Sequence, residues 1–391
     1  MERRIYLDNA STTFVSSEVL EEMMPCFNVI YGNAGSLHSY GREAMAVVDK
    51  ARDRIKTAIN ASKANEIYFT SGGTESDDWA ILGVAHANAD KGKHIITSQI
   101  EHHAVLNACH QLEKEGFEIT YLPVNKHGLV DLAELLHAIR KDTILISIMA
   151  VNNEVGTIQN VKAIAKIAHG YDILFHTDAV QAVGVMSIDV QDMDIDLLSM
   201  SSHKLHGPKG VGALYVRNGV KIDPILFGGI NQERGKRAGT ENVPAIAGFG
   251  KAVEIAVKNH IINNKKFKTI REYFLEKLEE KVDHYQVNGH PHQKANSILN
   301  VSFYGIEGES VLMLLDLAGI CVSTSSACTS KSLLPSHVLQ AMGVADDVAQ
   351  GAVRFSFGTN TSKSDVDYVI DELVKVIAKL RAISPIQAGR V

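Results

Sequence analysis

Seven short runs of apolar, β-favouring residues recur through the first 216 positions, at 67–70, 94–97, 120–124, 143–149, 173–177, 197–201 and 212–216. Their apolar character is nearly continuous rather than alternating. Both faces of each strand are therefore expected to be buried, as in a parallel or mostly parallel sheet covered by helices. Helical patterns separate the runs. Between 42 and 60, Ala44, Val47, Val48, Ala51, Ile55 and Ile59 fall at helical spacing and mark one such cover. Regular strand–helix alternation restricts the fold to the α/β layered class.

After residue 216 the rhythm changes. A Gly-rich loop over 227–239 leads into expected helices at 243–260 and 264–282. Beyond them the pattern predicts strands at 297–303, 320–322 and 352–357, with helices near 308–318, from Pro335, and near 363–382. The chain of 391 residues is long enough for two units. The reading is a large α/β unit over 15–260 and a smaller α+β unit made of 1–14 and 261–391. The boundary falls near 258–264, and a cysteine-bearing loop at about 323–335 belongs to the smaller unit.

Composition narrows the function. With 45% hydrophobic and 21% charged residues the chain is ordinary globular protein. Its 39 basic and 45 acidic residues give a net charge of −6, so no basic excess advertises nucleic acid. The longest strongly apolar stretch, 144–151, is broken by Ser147 and is far short of the ~20 residues of a membrane span. The N-terminus lacks an apolar signal core, so the cytoplasm is expected, or an organelle matrix if a leader is absent. The four cysteines, Cys26, Cys109, Cys321 and Cys328, form neither a disulfide framework nor a C-x-x-C pair.

Three motifs follow strands. The first, Thr70-Ser-Gly-Gly-Thr-Glu-Ser-Asp77, opens a helix. Its glycines free the backbone to approach a ligand, and the helix start suits an anion such as phosphate. Thr74 with Asp77 also fits a capping box, and a plain capped turn would carry the same residues. The second is Asp178, at the C-terminal end of the run before it, where open α/β sheets bind ligands; a salt-bridged structural aspartate would look alike. The third, Ser201-Ser-His-Lys204, brings an amine to the same edge, where burial favours a nucleophilic lysine. A lysine, an acidic group and an anion cradle are the set that pyridoxal phosphate requires.

In order along nearly the whole chain, the sequence resembles the cysteine desulfurases of the NifS/IscS type, fold-type I pyridoxal-phosphate enzymes of the class V aminotransferase family. The matching stretches are Tyr6-Leu-Asp-Asn-Ala-Ser-Thr-Thr13, Ser36-Leu-His-Ser-Tyr-Gly-Arg42, Thr70 to Ser76, Glu101-His-His-Ala104, Asn152-Asn-Glu-Val-Gly-Thr157, His176 to Gln181, Ser201 to Lys204, Arg237-Ala-Gly-Thr-Glu-Asn242, Ser325-Ser-Ala-Cys328 and Arg354-Phe-Ser356. The resemblance implies a mostly parallel seven-stranded sheet and a set of roles. Lys204 carries the cofactor aldehyde and later moves the substrate Cα proton. Asp178 pairs with the ring nitrogen, Gln181 with the ring hydroxyl, and His102 stacks on the ring and serves as a catalytic acid or base. Gly73, Thr74, Ser201 and His203 hold the phosphate, joined by Thr240 from a neighbouring subunit, so a homodimer is implied. Asn152 and Arg354, with Asn33, clamp the substrate carboxylate. No metal is implied. Asn33-Ala-Gly-Ser36 departs from the Asn-Pro-Ser-Ser usual in the family.

Cys328 sits among small polar residues, Ser323-Thr-Ser-Ser-Ala-Cys-Thr-Ser-Lys-Ser332, a composition that reads as a mobile loop. The resemblance makes it the nucleophile that takes sulfur from L-cysteine as a persulfide, releases L-alanine, and passes the sulfur to an iron–sulfur scaffold protein of the NifU/IscU kind. Selenocysteine lyase, or another class V aminotransferase or lyase, is the alternative activity. A non-catalytic binder using His102-His103 or His290-Pro-His292 is the alternative class.

Overall fold

A computed structural model of the chain describes residues 4–230, 232–324 and 335–384. The described chain opens with a two-residue strand, β1 (Ile5–Tyr6). It then builds a seven-stranded sheet from β2 (Ile67–Thr70), β3 (His94–Ser98), β4 (Glu118–Leu122), β5 (Thr143–Ser147), β6 (Leu174–Asp178), β7 (Leu197–Ser201) and β8 (Gly212–Val216). The strand order is β2-β8-β7-β6-β5-β3-β4. The predicted runs match these strands to within two residues. The strand expected at 120–124 lies two residues earlier, at 118–122, because Pro123 has no N–H for the ladder and ends the strand at Leu122.

Pairing is parallel from β4 through β3, β5 and β6 to β7. Strand β8 is antiparallel to both β7 and β2. Two reversals cancel, so β2 points the same way as β7 and β8 alone opposes the sheet. The C-terminal ends of the other strands, and the loops that follow them, open on a single edge, the place where α/β sheets bind ligands.

The helix Ser39–Ala58 buries Ala44, Val48, Ala51 and Ile55. It packs on the helix Val243–Lys281 so closely that a Cβ on Gly250 would lie 2.6 Å from the Cα of Ala51. The second helix is continuous over 39 residues, where the sequence pattern predicted two helices divided near 258–264. That stretch, Lys-Asn-His-Ile-Ile-Asn-Asn, contains neither proline nor glycine. Asparagine costs only about 0.5 kcal/mol per position in a helix, which packing at both ends overrides. The first half buries Ile246, Phe249 and Val253 in the core around the large sheet. The second half buries Ile270, Phe274 and Leu278 in a separate cluster.

That second cluster lines a four-stranded antiparallel sheet of β9 (Tyr285–Asn288), β10 (Ile298–Phe303), β12 (Ser323–Thr324) and β13 (Ala352–Ser356). Strand β11 (Ile320–Cys321) lies beside it and pairs in parallel with β1, Ile5 opposite Ile320. Phe274, Phe355 and Phe357 form its aromatic centre, with ring centroids 4.9 and 5.9 Å from Phe274. Each such buried ring contributes roughly 1.5–3 kcal/mol. No helix among the described residues is long and apolar enough to cross a membrane.

Candidate active site

A cavity of about 490 Å³ opens at the C-terminal edge of the large sheet. Each wall comes from a loop leaving a strand that points that way: Gly73 and Thr74 after β2, His102 after β3, Asp178 at the end of β6, and Ser201, His203 and Lys204 at the end of β7. The segment around Ala10 and the residue Arg354 on β13 close it from the side of the second cluster.

The helix that begins at Gly73 has Gly72 at its cap and no side-chain cap. The capping box expected from Thr74 and Asp77 does not form, because Asp77 turns inward and is buried. Glu75 instead accepts from the Ser71 amide at 2.7 Å and pairs with Arg237, which holds its carboxyl below the ordinary range against the opposing effect of burial. The first turn is thus without a side-chain cap and has Gly73 and Thr74 on the cavity wall, a cradle suited to an anion. A Cβ on Gly73 would come within 2.8 Å of Val180 Cγ2 and 3.5 Å of Ser201 Cβ. The Ser201 Oγ is buried with no hydrogen-bond partner, a state that costs about 1–3 kcal/mol in a closed protein and is relieved by an acceptor in the cavity. His203 Nδ1 lies 3.1 Å from Thr12 Oγ1. Burial, helped by Lys204 and Lys209, lowers its pKa to about 4, so it faces the cradle as a neutral ring.

Lys204 Nζ donates to the carbonyls of Ala10 at 2.6 Å and Ser11 at 2.8 Å, and Gln181 Nε2 donates to the same Ala10 carbonyl at 2.9 Å. Asp178 accepts from the Val180 amide at 2.8 Å. Burial raises its pKa to about 6, against the pull of that amide and of Lys204. His102 caps the helix His103–Lys114, its Nδ1 accepting from the Ala104 amide at 3.1 Å. Burial and the neighbouring Lys204 hold its pKa near 4, leaving a neutral ring with an apolar face on the cavity. An amine, a buried carboxylate, a flat neutral ring and an anion cradle with an orphaned hydroxyl match the donor set of pyridoxal phosphate.

Arg354 donates to the Asn153 carbonyl at 2.8 Å, to Asp8 at 3.0 Å and to Ser11 Oγ at 2.6 Å, while its buried Nε has no partner. The guanidinium is therefore aimed by the N-terminal segment. Asn152 lies behind the cavity: its side chain is fully buried, donates to the Ile100 carbonyl at 3.0 Å and accepts from the Glu154 and Val155 amides. Its neighbours Asn153 and Glu154 line the cavity instead. Asn33 is exposed, accepts from the Gly35 amide and does not reach the cavity. Thr240 is exposed as well, at a separate cavity of about 170 Å³. Cys328 lies outside the described residues.

Sequence reasoning missed Asp77, Ser11 and His337, all on the cavity wall. The signal for Asp77 is an acid four residues into a helix whose first turn lines the cavity, a pattern that a capping residue shares. Ser11 and His337 are brought in by long-range packing that no local pattern encodes.

The family model Aminotransferase class-V matches residues 5–369. A cysteine desulfurase IscS from Dictyoglomus turgidum is 52% identical, the alignment covering 98% of this chain and 97% of that protein. Another, from Methanosarcina thermophila, is also 52% identical, over 98% of this chain and 94% of that protein. A solved NifS-like protein superposes with a TM-score of 0.91 at 39% identity, covering 97% of this chain and all of that one.

Proposed function

Because the chain belongs to the class-V aminotransferase family and is, within it, a pyridoxal-phosphate-dependent cysteine desulfurase acting on L-cysteine, we propose the following division of labour among its residues. The observation that carries it is the convergence of Lys204, Asp178 and the Gly73 cradle on one cavity. When bound, pyridoxal phosphate supplies an electron sink for the substrate's Cα. Gly73, Thr74, Ser201 and His203 hold its phosphate, Asp178 faces its ring nitrogen, Gln181 its ring hydroxyl, and His102 covers its face. Lys204 would supply the amine for its aldehyde and would move the proton at the substrate Cα. Arg354 grips the substrate carboxylate, since its planar donors suit a carboxylate; Asn152 supports this clamp from behind by fixing the loop of Asn153 and Glu154.

Cys328 is the sulfur acceptor in this reading. Its thiolate bonds to the substrate sulfur as the substrate C–S bond breaks. The electron pair stays on the carbon skeleton, which takes up a proton and leaves as L-alanine. Only the thiolate is nucleophilic enough for this step. The persulfide then passes to a scaffold protein of the NifU/IscU kind for iron–sulfur cluster assembly. A homodimer is proposed because Phe227 and Ile230, 81% and 82% exposed, lie in the loop that leads to Thr240. Apolar side chains this exposed mark association surfaces. Free Cys26, Cys109 and Cys321 suit the reducing cytoplasm. The units 15–260 and 1–14 with 261–391 are proposed as the cofactor-holding and thiol-presenting parts.

Borohydride reduction of the cofactor-loaded protein tests the assignment. Peptide mapping is expected to find the cofactor fixed to Lys204. Fixation at another lysine, or none, would overturn it.

A further inference from the structure

Asp77 is 1% exposed and lies on the wall of the same cavity as Asp178. The structural link between them is β6. His176 and Asp178 are two residues apart on that strand and share one face of the sheet. Asp77, on the helix crossing that face, puts its Oδ1 3.8 Å from His176 Nε2. That distance is too long for a hydrogen bond, and the Asp77 Oδ1 has no hydrogen-bond partner. His176 gives Asp77 no charge either. Its two ring nitrogens are taken by Ser147 Oγ at 2.8 Å and Ser199 Oγ at 3.0 Å, and it is fully buried, which holds it neutral.

The other groups that act on Asp77 are mostly acidic. Asp178 faces it from β6, Glu101 from the loop after β3 and Asp78 from its own helix, while the Ser199 hydroxyl on β7 is the one favourable contact. Lys204 acts on Asp178 and on His102. Two carboxylates in one dry site, with the nearby cation acting on only one of them, do not both ionise.

We propose that Asp77 is a positioning residue that stays protonated beneath the cofactor site, leaving Asp178 as the anion and donating its proton as a hydrogen bond that fixes the Asp178 carboxylate toward the ring nitrogen. Burial, then the charge of Asp178, drives Asp77 in this direction. The proposal rests on the reading of Asp178 given above. It explains why the site carries a second buried acid that neither the phosphate cradle nor the substrate clamp uses.

The test compares cofactor-loaded wild-type protein with Asp77→Asn, Asp77→Leu and Asp178→Asn. It measures the cofactor dissociation constant, the pH midpoint of the visible absorbance, and the infrared band of a protonated carboxyl. Asp77→Asn is neutral and can still donate, so its dissociation constant and midpoint stay close to wild type. Asp77→Leu cannot donate, so the dissociation constant rises by about tenfold, a loss of about 1.4 kcal/mol, and the midpoint falls. Buried Glu101, whose pKa burial raises to about 8, contributes a protonated-carboxyl band throughout, so the reading for Asp77 is the part of the wild-type band that Asp77→Asn removes. A merely structural role would leave the midpoint unmoved. Asp77→Asn as damaging as Asp77→Leu, a harmless Asp77→Leu, or a band identical in wild type and Asp77→Asn would each overturn the proposal. If Asp178→Asn alters neither affinity nor absorbance, the reading of Asp178 fails instead.

Discussion

Replacing Glu233 with leucine should loosen the loop that carries Thr240 more than it damages the cofactor cavity. Glu233 and Arg52 form a buried two-bond pair, Arg52 Nη1 to Oε2 at 2.9 Å and Nη2 to Oε1 at 2.7 Å, with side chains 4% and 9% exposed. Glu233 also accepts from the Phe69 amide at 3.2 Å. Arg52 keeps two other contacts, the Ile67 carbonyl at 2.6 Å and the Phe69 ring at 4.7 Å, but neither carries a compensating charge. Glu233→Leu therefore strands a buried guanidinium and one backbone N–H. Breaking one side of a buried pair costs about 3–5 kcal/mol. Glu233 sits in left-handed backbone, φ 39°, as does Arg234, φ 58°, a conformation held against its own cost by these contacts. Urea unfolding reads the stability, and hydrogen exchange over residues 232–242 reads the loop. The double variant Arg52→Met/Glu233→Leu removes both charges and should recover most of the loss, to within about 1 kcal/mol of wild type. A single-variant cost below about 1 kcal/mol, or a double variant no better than the single, would refute the reasoning.

Other consequences can be measured directly. Gly73→Ala puts a methyl 2.8 Å from the flexible Val180 Cγ2; the fold should tolerate this while the cofactor dissociation constant rises by about tenfold, or about 1.4 kcal/mol, in an absorbance titration. His169 is buried enough to oppose its charge, but its bonds to Asp196 at 2.7 Å and Asp194 at 2.5 Å outweigh this and raise its pKa. That contribution to stability is complete below the unfolded value of about 6.5 and is lost as pH rises through the raised folded value; His169→Gln should therefore cost most in mildly acidic buffer and least in alkaline buffer, by thermal unfolding at a series of pH values. Asp178→Asn removes the carboxylate proposed to face the ring nitrogen and should lower kcat by about 100-fold or more, with the far-ultraviolet circular dichroism unchanged.

Much of this architecture is legible from residues alone because its signals are local. Continuous apolar runs give the buried strands, and residues at strand ends such as Asp178 and Lys204 fall on the ligand edge once the strands are known to be parallel. The continuous helix through 258–264 was not legible, since its persistence is decided by packing at Phe249 and Phe274, far from the polar residues between them. Asp77 was misread for a related reason. A capping residue and a buried acid occupy similar sequence positions, and what separates them is whether the sheet lies beneath. The family resemblance alone singles out Arg354, and the hold of Asp8 and Ser11 on its guanidinium spans more than 340 residues of chain and has no short-range trace.

The most direct measurement is mass spectrometry of the cofactor-loaded protein after a single turnover with L-cysteine, together with quantification of L-alanine. The account predicts a gain of one sulfur on the peptide containing Cys328, equal in amount to the L-alanine formed, and no such gain in Cys328→Ala. Alanine formed while Cys328 stays unmodified, or steady sulfide release that survives Cys328→Ala, would contradict it.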